Sequence, residues 1–322
     1  MGSNKKILVT GATGFVGRHL VADLVTKGHM VYIVSRQEHP DVSGLNGVQV
    51  IVGDINDPIT LPTDVKTIYH CAGVIRDREQ MEKVNVIGTQ NIVDLAIQND
   101  CTLTYLGSAG VAGNTDETNI DEHTLCRPQN DYEISKYKGE QIVLKGIQQG
   151  LKAHILRPVT IFGVKDNPDT DSFFHLIKSM RSGRYKNIGH GIYNIVHVSE
   201  VVKALQILEE KGTPYGNTYI ISNAIAYKDM DILVKDSPPA VTKKTQTIPY
   251  PIAIIITAIL TICYALIHKK SPLTFSRLRA LTNTKIYSQK KLLEDTPFKN
   301  SLPVEEYLKI VCKSYIERGF LR

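Results

Sequence analysis

Tyr132-Glu-Ile-Ser-Lys136 is the segment in which residue type and spacing point most directly to chemistry. On a helix, residues four apart share a face, so the phenol and the ammonium lie together. A neighbouring cation favours phenolate and pulls a tyrosine pKa down from about 10 toward the working range. Such a pair can take or give the proton of a carbinol. A second candidate is Val9-Thr-Gly11-Ala-Thr13-Gly14-Phe15-Val16-Gly17, which follows a short apolar run and opens an amphipathic stretch. Glycines spaced GxxGxxG permit a tight turn, let the backbone approach a pyrophosphate and let a helix pack close to a strand. The anion then rests at the helix N-terminus. The next strand ends Val34-Ser35-Arg36, with the nearest acid, Glu38, out in the loop. An acid there would bond a ribose 2′-hydroxyl, whereas arginine beside a small hydroxyl suits a 2′-phosphate. NADP(H) is therefore expected in preference to NAD(H).

The elements that must hold these groups follow from hydrophobic pattern. Lys6–Thr10, Val31–Ser35, Val48–Val52, Thr67–Cys71, Thr102–Gly107 and Ala153–Arg157 read as strands, nearly continuous in apolar residues. Val16–Lys27, Gln80–Gln98 and Tyr132–Gln149 read as helices between them. The alternation predicts an α/β fold with a doubly wound parallel (Rossmann) sheet. After Arg157 the pattern breaks into short helices and Gly/Asp/Asn/Pro-rich segments, then resumes with helix Ser199–Glu210 and strand Thr218–Ser222. Val304–Arg318 closes the chain as an amphipathic helix ended by Gly319. The expected division is a dinucleotide-binding domain over 1–157, with 197–235 returning to it, and a smaller, sequence-interleaved C-terminal substrate lobe over 158–196 and 236–322.

Composition excludes several classes. The 322 residues are 42% hydrophobic and 22% charged, which is neither a disordered nor a collagen-like balance. Five cysteines without close pairs suggest neither a disulfide framework nor a zinc site, and reduced, cytoplasmic surroundings are expected. The first apolar run leads straight into the glycine turn, so no signal peptide is read. No His/Glu/Asp spacing suggests a metal, and nothing suggests a nucleic-acid partner. The net charge of +6 is uneven: residues 1–235 hold 24 basic and 26 acidic side chains, residues 236–322 hold 14 and 6. Ser237–Leu293 carries nine basic residues and no Asp or Glu.

Taken in order, the motifs resemble those of the extended short-chain dehydrogenase/reductase superfamily, of the NAD-dependent epimerase/dehydratase type. After the glycine turn come Gly53-Asp54-Ile55, His70-Cys71-Ala72-Gly73, Val84-Asn85-Val-Ile-Gly-Thr89, Gly107-Ser108-Ala-Gly-Val-Ala-Gly113 and the YxxSK pattern. Leu156-Arg-Pro158, Ile161-Phe-Gly163 and Val196-His-Val-Ser-Glu-Val201 complete the series. The resemblance implies that Tyr132 donates or accepts the proton, that Lys136 holds the nicotinamide ribose, and that Ser108 bonds the substrate oxygen. It implies further that Asp54 and Ile55 lie against the adenine and that Asn85 braces the sheet beside the catalytic helix. Thr13, Phe15, Val16, Cys71, Ala72, Gly73 and Pro158 would line the dinucleotide. His197, in Val-His-Val, reads as a hydrogen-bonded structural residue rather than a base.

Two departures bear on substrate. Relatives that epimerise nucleotide sugars usually carry arginine four residues before the His197 position and tyrosine after the valine of the serine motif; here stand Tyr193 and Ala112. Arg181, Arg184 and Lys186 could bind phosphates or form a solvated basic turn. The segment Ser271–Asn283 with Ile286–Lys291 resembles the C-terminal region of 3β-hydroxysteroid dehydrogenase-like members, which also place an apolar helix just before it, and Asn194 fits that branch.

That apolar helix is Ile252–Ile267, sixteen residues without a charge. It would span about 24 Å, short of a hydrocarbon core of roughly 30 Å. Thr257, Thr261, Tyr264 and His268 form one polar stripe along it, which a half-buried or interfacial helix needs and a spanning one does not. Lys243 and Lys244 precede it; Lys269, Lys270, Arg277 and Arg279 follow. Packing on its own domain or a dimer partner, peripheral membrane association through 248–270, and a true span all remain open. The expected activity is hydride transfer between a nicotinamide and a secondary alcohol or ketone of a hydrophobic, steroid- or lipid-like small molecule, by a homodimer. The alternatives are a nucleotide-sugar epimerase or ketoreductase and a non-catalytic dinucleotide-binding subunit.

Overall fold

The structure is a computed structural model describing residues 4–38, 41–209, 213–242, 244–266, 268, 271 and 273–321. Lys243, Ile267, Lys269 and Lys270 lie outside the described residues, as do Glu210 and the side chain of Arg277. The chain forms two units: Met1–Ile161 with Val198–Ser222 and Tyr287–Lys299, and Phe162–His197 with Asn223–Ile286 and Asn300–Arg322.

Seven strands build the first unit: β1 (Lys6–Thr10), β2 (Met30–Ser35), β3 (Val48–Val52), β4 (Val65–His70), β5 (Thr102–Leu106), β6 (Ala153–Pro158) and β7 (Thr218–Ile221). All pair in parallel, in the order β3-β2-β1-β4-β5-β6-β7. This is the doubly wound Rossmann order, whose direction of winding reverses between β1 and β4 and opens a crevice beyond their carboxyl ends. Its inner strands are apolar because both faces are covered: Ile7, Leu8 and Val9 of β1 and Ile155 and Leu156 of β6 are buried. Crossovers are made by α1 (Phe15–Thr26), α2 (Gly88–Gln98), α3 (Asp131–Gln148) and α4 (Val198–Leu208).

The stretch expected as one helix over Gln80–Gln98 is not uniform. Asp77 caps it, its Oδ1 accepting from the Glu79 and Gln80 amides at 3.1 and 3.3 Å. Glu82–Ile87 then widens into a π-helical turn before α2 begins. Such turns shift the side-chain phase and cluster at functional sites. Here the turn carries Asn85, and α3 packs hard against it at Gly139, where a Cβ would overlap the Asn85 carbonyl oxygen and lie 2.7 Å from the Tyr105 hydroxyl.

The return segment to this unit ends at Ser222 rather than at 235, and residues 287–299 make a second return. Both differences have packing causes. Helix Tyr227–Asp236 places Tyr227, Met230 and Val234 in the second unit's aromatic core. Within the first unit, Lys291 donates to the Asn217 side chain (2.8 Å) and the Thr218 carbonyl (3.2 Å), so the segment shields edge strand β7.

The second unit has an antiparallel pair, Ile192–His197 with Asn223–Ala226, and the helices Ser172–Arg181, Tyr227–Asp236, Tyr250–Leu266, Phe275–Thr282 and Val304–Glu317. Phe162, Phe173, Phe174, Met180, Leu308 and Tyr315 fill its core. In the apolar helix the expected polar stripe is divided. Thr257 is fully buried, near Ala253, which packs with Ile188 and Leu278. Its hydroxyl donates to the Ala253 carbonyl at 2.7 Å, so burial leaves no unmet donor. Thr261 and His268 are exposed, together with Ile252, Ile254, Ile255, Ile259 and Ile262. No helix among the described residues is long and apolar enough to cross a membrane.

Candidate active site

The glycine turn builds an anion cradle from backbone alone. Gly11 sits at φ +67°, and a Cβ there would lie 2.6 Å from the Ala72 amide nitrogen, so the β1 turn and the β4 turn touch through hydrogen only. A Cβ on Gly17 would overlap the Gly11 carbonyl oxygen. Gly14 is exposed and is the N-cap of α1; no side chain caps the helix there and no acid occupies its first turn. An uncapped N-terminus facing a bare glycine turn is the arrangement that receives a pyrophosphate. The residues therefore fit a dinucleotide, held by the amides after Gly11 with Thr13 exposed at the rim. Phe15 and Val16 anchor the turn: Val16 is buried, and Phe15 meets the His19 ring edge-on at 5.2 Å.

At the carboxyl end of β5, Ser108 caps a short turn, its Oγ accepting from the Gly110 amide at 3.2 Å. The same hydroxyl lies near enough to the Tyr132 phenol to favour its ionised form. Tyr132 stands in the first turn of α3, which is fixed by reciprocal capping. Asn130 Oδ1 accepts from the Glu133 amide at 3.0 Å, and Glu133 Oε2 accepts from the Gln129 amide at 2.7 Å. Lys136 follows one turn on, 3% exposed, its Nζ donating to the Leu106 carbonyl at 2.7 Å and lying 4.3 Å from the Tyr105 ring centroid. Burial pulls this ammonium down to about 8, against the opposing pull of Glu140 and Cys71.

One expectation is corrected here. The Tyr132 phenol is pushed up, not down: burial dominates, and the neighbouring Ser108 hydroxyl only partly offsets it. Lys136 Nζ is turned to the Leu106 carbonyl and the Tyr105 face.

Asn85 is completely buried and clamps three elements. Its Oδ1 accepts from the Val74 amide at 2.8 Å, and its Nδ2 donates to the Val74 carbonyl and to Ser135 Oγ, each at 2.9 Å. It ties the β4 turn to the catalytic helix, as a brace. His70 is also sealed, between Thr10 Oγ1 at 2.6 Å and Thr89 Oγ1 at 3.0 Å, and burial holds its pKa near 3. Burial pushes the neighbouring Cys71 thiol up to about 12, which disfavours its thiolate.

Sequence reading missed Glu140. It lies one turn beyond Lys136, fully buried, and forms a two-pronged ion pair with Arg157 of β6, including Nε to Oε2 at 2.9 Å. Tyr132, Lys136 and Glu140 recur at intervals of four, a spacing that could have exposed the face. Arg157 also donates to Cys126 Sγ at 3.4 Å, and Pro158, buried, ends the strand.

Farther along the sheet, Ser35 and exposed Arg36 close β2, with Ser35 Oγ accepting from the Gln37 amide at 3.1 Å. Asp54 turns its Oδ1 to the Asn56 amide (3.0 Å), and Ile55 is buried. In the second unit, His197 stacks on Tyr307 with ring centroids 4.1 Å apart, and Asn194 donates to the Lys285 carbonyl at 2.8 Å. Arg181 is not a residue of a solvated turn. It is 3% exposed and donates to the carbonyls of Val234, Ser237 and Pro239 at 2.8–2.9 Å. Arg184 reaches Ser182 and Lys186 reaches Gln246.

This cradle and the Ser–Tyr–Lys set agree with what the sequence matches. The NAD dependent epimerase/dehydratase family model covers residues 7–222, and the chain belongs to that family. A 3-beta-hydroxysteroid dehydrogenase of Mycolicibacterium neoaurum is 30% identical over 243 residues, 68% of this chain and 65% of that protein. The UDP-glucose 4-epimerase of Vibrio cholerae is 26% identical over 267 residues, 77% of this chain and 79% of its own length. In structure, a UDP-glucose 4-epimerase from Thermotoga maritima shares the fold at a TM-score of 0.73 and 19% identity, over 98% of this chain and 99% of that one. The chain is thus an enzyme of the extended short-chain dehydrogenase/reductase type, performing nicotinamide-dependent oxidoreduction.

Proposed function

We propose that this enzyme prefers NADP(H) and interconverts a secondary alcohol and ketone on a hydrophobic cyclic, steroid- or lipid-like compound. The observation that carries the chemistry is Ser108 at the end of β5 beside Tyr132 in the first turn of α3, with Lys136 one turn along the same helix. When bound, the dinucleotide supplies or takes the hydride at its nicotinamide ring. Tyr132 then moves the carbinol proton at its phenol oxygen, and Ser108 Oγ holds the substrate oxygen as charge develops there. Lys136, kept beside Glu140, holds the ribose through Nζ.

The cofactor preference rests on Ser35 and exposed Arg36 at the end of β2, where an arginine meets a 2′-phosphate and no acid stands to bond a 2′-hydroxyl. The substrate class rests on residues replaced relative to sugar-nucleotide enzymes. Tyr193, at the position where they carry arginine, is stacked on Tyr227 with centroids 5.1 Å apart. Ala112 packs with Ile120 and Ile220, and Arg181 is engaged by three carbonyls. A second reading, nucleotide-sugar epimerisation, is favoured by the resemblance to UDP-glucose 4-epimerases.

The test is a thermal-shift and turnover screen of steroid alcohols and ketones against UDP- and dTDP-sugars, with NADP(H) or NAD(H) present. The expected result is stabilisation and turnover with a steroid-type compound and tighter binding of NADPH than of NADH. Turnover confined to sugar nucleotides would replace the substrate assignment, and tighter NADH binding would overturn the Arg36 argument.

A further inference from the structure

We propose that the outward face of helix Tyr250–Leu266 docks the enzyme onto an anionic membrane surface, lying in the interface rather than crossing it. Ile252, Ile255, Ile259, Ile262 and Leu266 alternate at spacings of three and four, which places them on one stripe of a helix. All five are exposed, from 49% at Ile252 to 75% at Leu266. The opposite side is already engaged, through Ala253 and the fully buried Thr257. The apolar stripe therefore faces away from its own unit, and Phe275, at the start of the neighbouring helix, adds a further exposed ring.

Isolated exposed apolar residues are ordinary, but a continuous stripe of large side chains on one helix marks an interaction surface. Charge selects the occupant. From Ser237 to Leu293 the chain has nine cations and no acid, and Lys244 and Arg279 are exposed on either side of the helix in sequence. A second copy meeting this face would bring cation to cation with no carboxylate in the block to answer it. Protein interfaces also deplete lysine at their centres. Acidic lipid headgroups answer both halves of the pattern: apolar side chains enter the acyl boundary while flanking lysines and arginines remain among the phosphates. Its described residues, 17 in all, reach about 25 Å, short of a hydrocarbon core of roughly 30 Å, and its inner face is held by Ile188 and Leu278, so the outer stripe is the face free to enter.

The experiment is co-sedimentation of the full chain with phosphatidylcholine vesicles, with and without about 30 mol% phosphatidylglycerol. It is run on the wild type and on the triple variant Ile255→Gln/Ile259→Gln/Ile262→Gln, with melting temperature, NADPH titration and light scattering of each in parallel. The expected result is sedimentation with acidic vesicles only, weakened by about 0.5 M NaCl. The triple variant should lose it by about tenfold or more, with melting and NADPH affinity unchanged. The proposal is overturned by wild-type protein that stays in the supernatant with acidic vesicles, or by a triple variant that sediments as well as wild type. A wild-type oligomer that ignores vesicles and becomes monomeric in the variant would make the face a contact between copies instead. Because the readout is binding, it stands or falls separately from the substrate assignment.

Discussion

The two units differ in how their polar side chains are governed. In the first, the groups with chemical potential sit where a strand ends and a helix begins, and local turns and caps set the positions of several of them. Gly11, Gly14 and Gly17 form one turn, Asn130 and Glu133 cap the helix that holds Tyr132, and Ser108 caps its own turn. In the second, similar residue types are governed by distant segments. Arg181 answers carbonyls more than fifty residues away, and Thr257 is turned inward while Ile255 and Ile259 face out. Spacing is therefore a reliable guide to chemistry where a site is built from consecutive elements, and a poor one where tertiary packing decides which face is covered.

The buried pair under the catalytic helix offers the strongest way to break this contrast. Removing one partner leaves an uncompensated charge, so Glu140→Leu should cost about 3–5 kcal/mol in urea unfolding, while Glu140→Leu/Arg157→Leu should cost less than the sum of its singles. The exposed Glu79–Lys83 pair, opened in the same assay, should leave the unfolding midpoint nearly unchanged. In the second unit, Arg181→Met should lower stability by about 2–3 kcal/mol through three unmet carbonyls, with NADPH affinity unchanged. Unchanged stability with weakened binding of UDP would return Arg181 to the phosphate role.

A third test uses pH. Burial holds His70 near 3, so between about 6.5 and 3 the unfolded chain binds a proton that the folded chain refuses. Stability from this residue is full above pH 6.5 and falls as pH drops. The loss is about 2 kcal/mol between pH 6.5 and 5, and His154, held near 4, adds to the same limb. His70→Asn should flatten that limb in melting curves taken at successive pH values. The smallest effect is expected at the surface: Arg36→Ala should weaken NADPH by about tenfold and leave NADH unchanged in a fluorescence titration.

Much of the sheet was legible in the sequence because strands covered on both faces must be apolar. β1 and β3 lie where the pattern puts them, and the other sheet strands lie within about two residues of it. Tyr132 and Lys136 were legible from a single helical turn. The role of Glu140 was not, because its partner Arg157 is carried there by β6. The direction of the Tyr132 shift was not legible either. It depends first on how deeply the fold buries the phenol, which no local spacing announces, while Lys136 is turned to the Leu106 carbonyl thirty residues away.

The central claim is that Tyr132 moves the proton in a reaction at a secondary carbinol. Its most direct test is the steady-state rate of Tyr132→Phe with NADPH on the best ketone of the substrate screen, beside an NADPH titration of the same protein. The account predicts a loss of about 10²–10⁴ in kcat with cofactor affinity and melting temperature unchanged. A variant that turns over at the wild-type rate would contradict it.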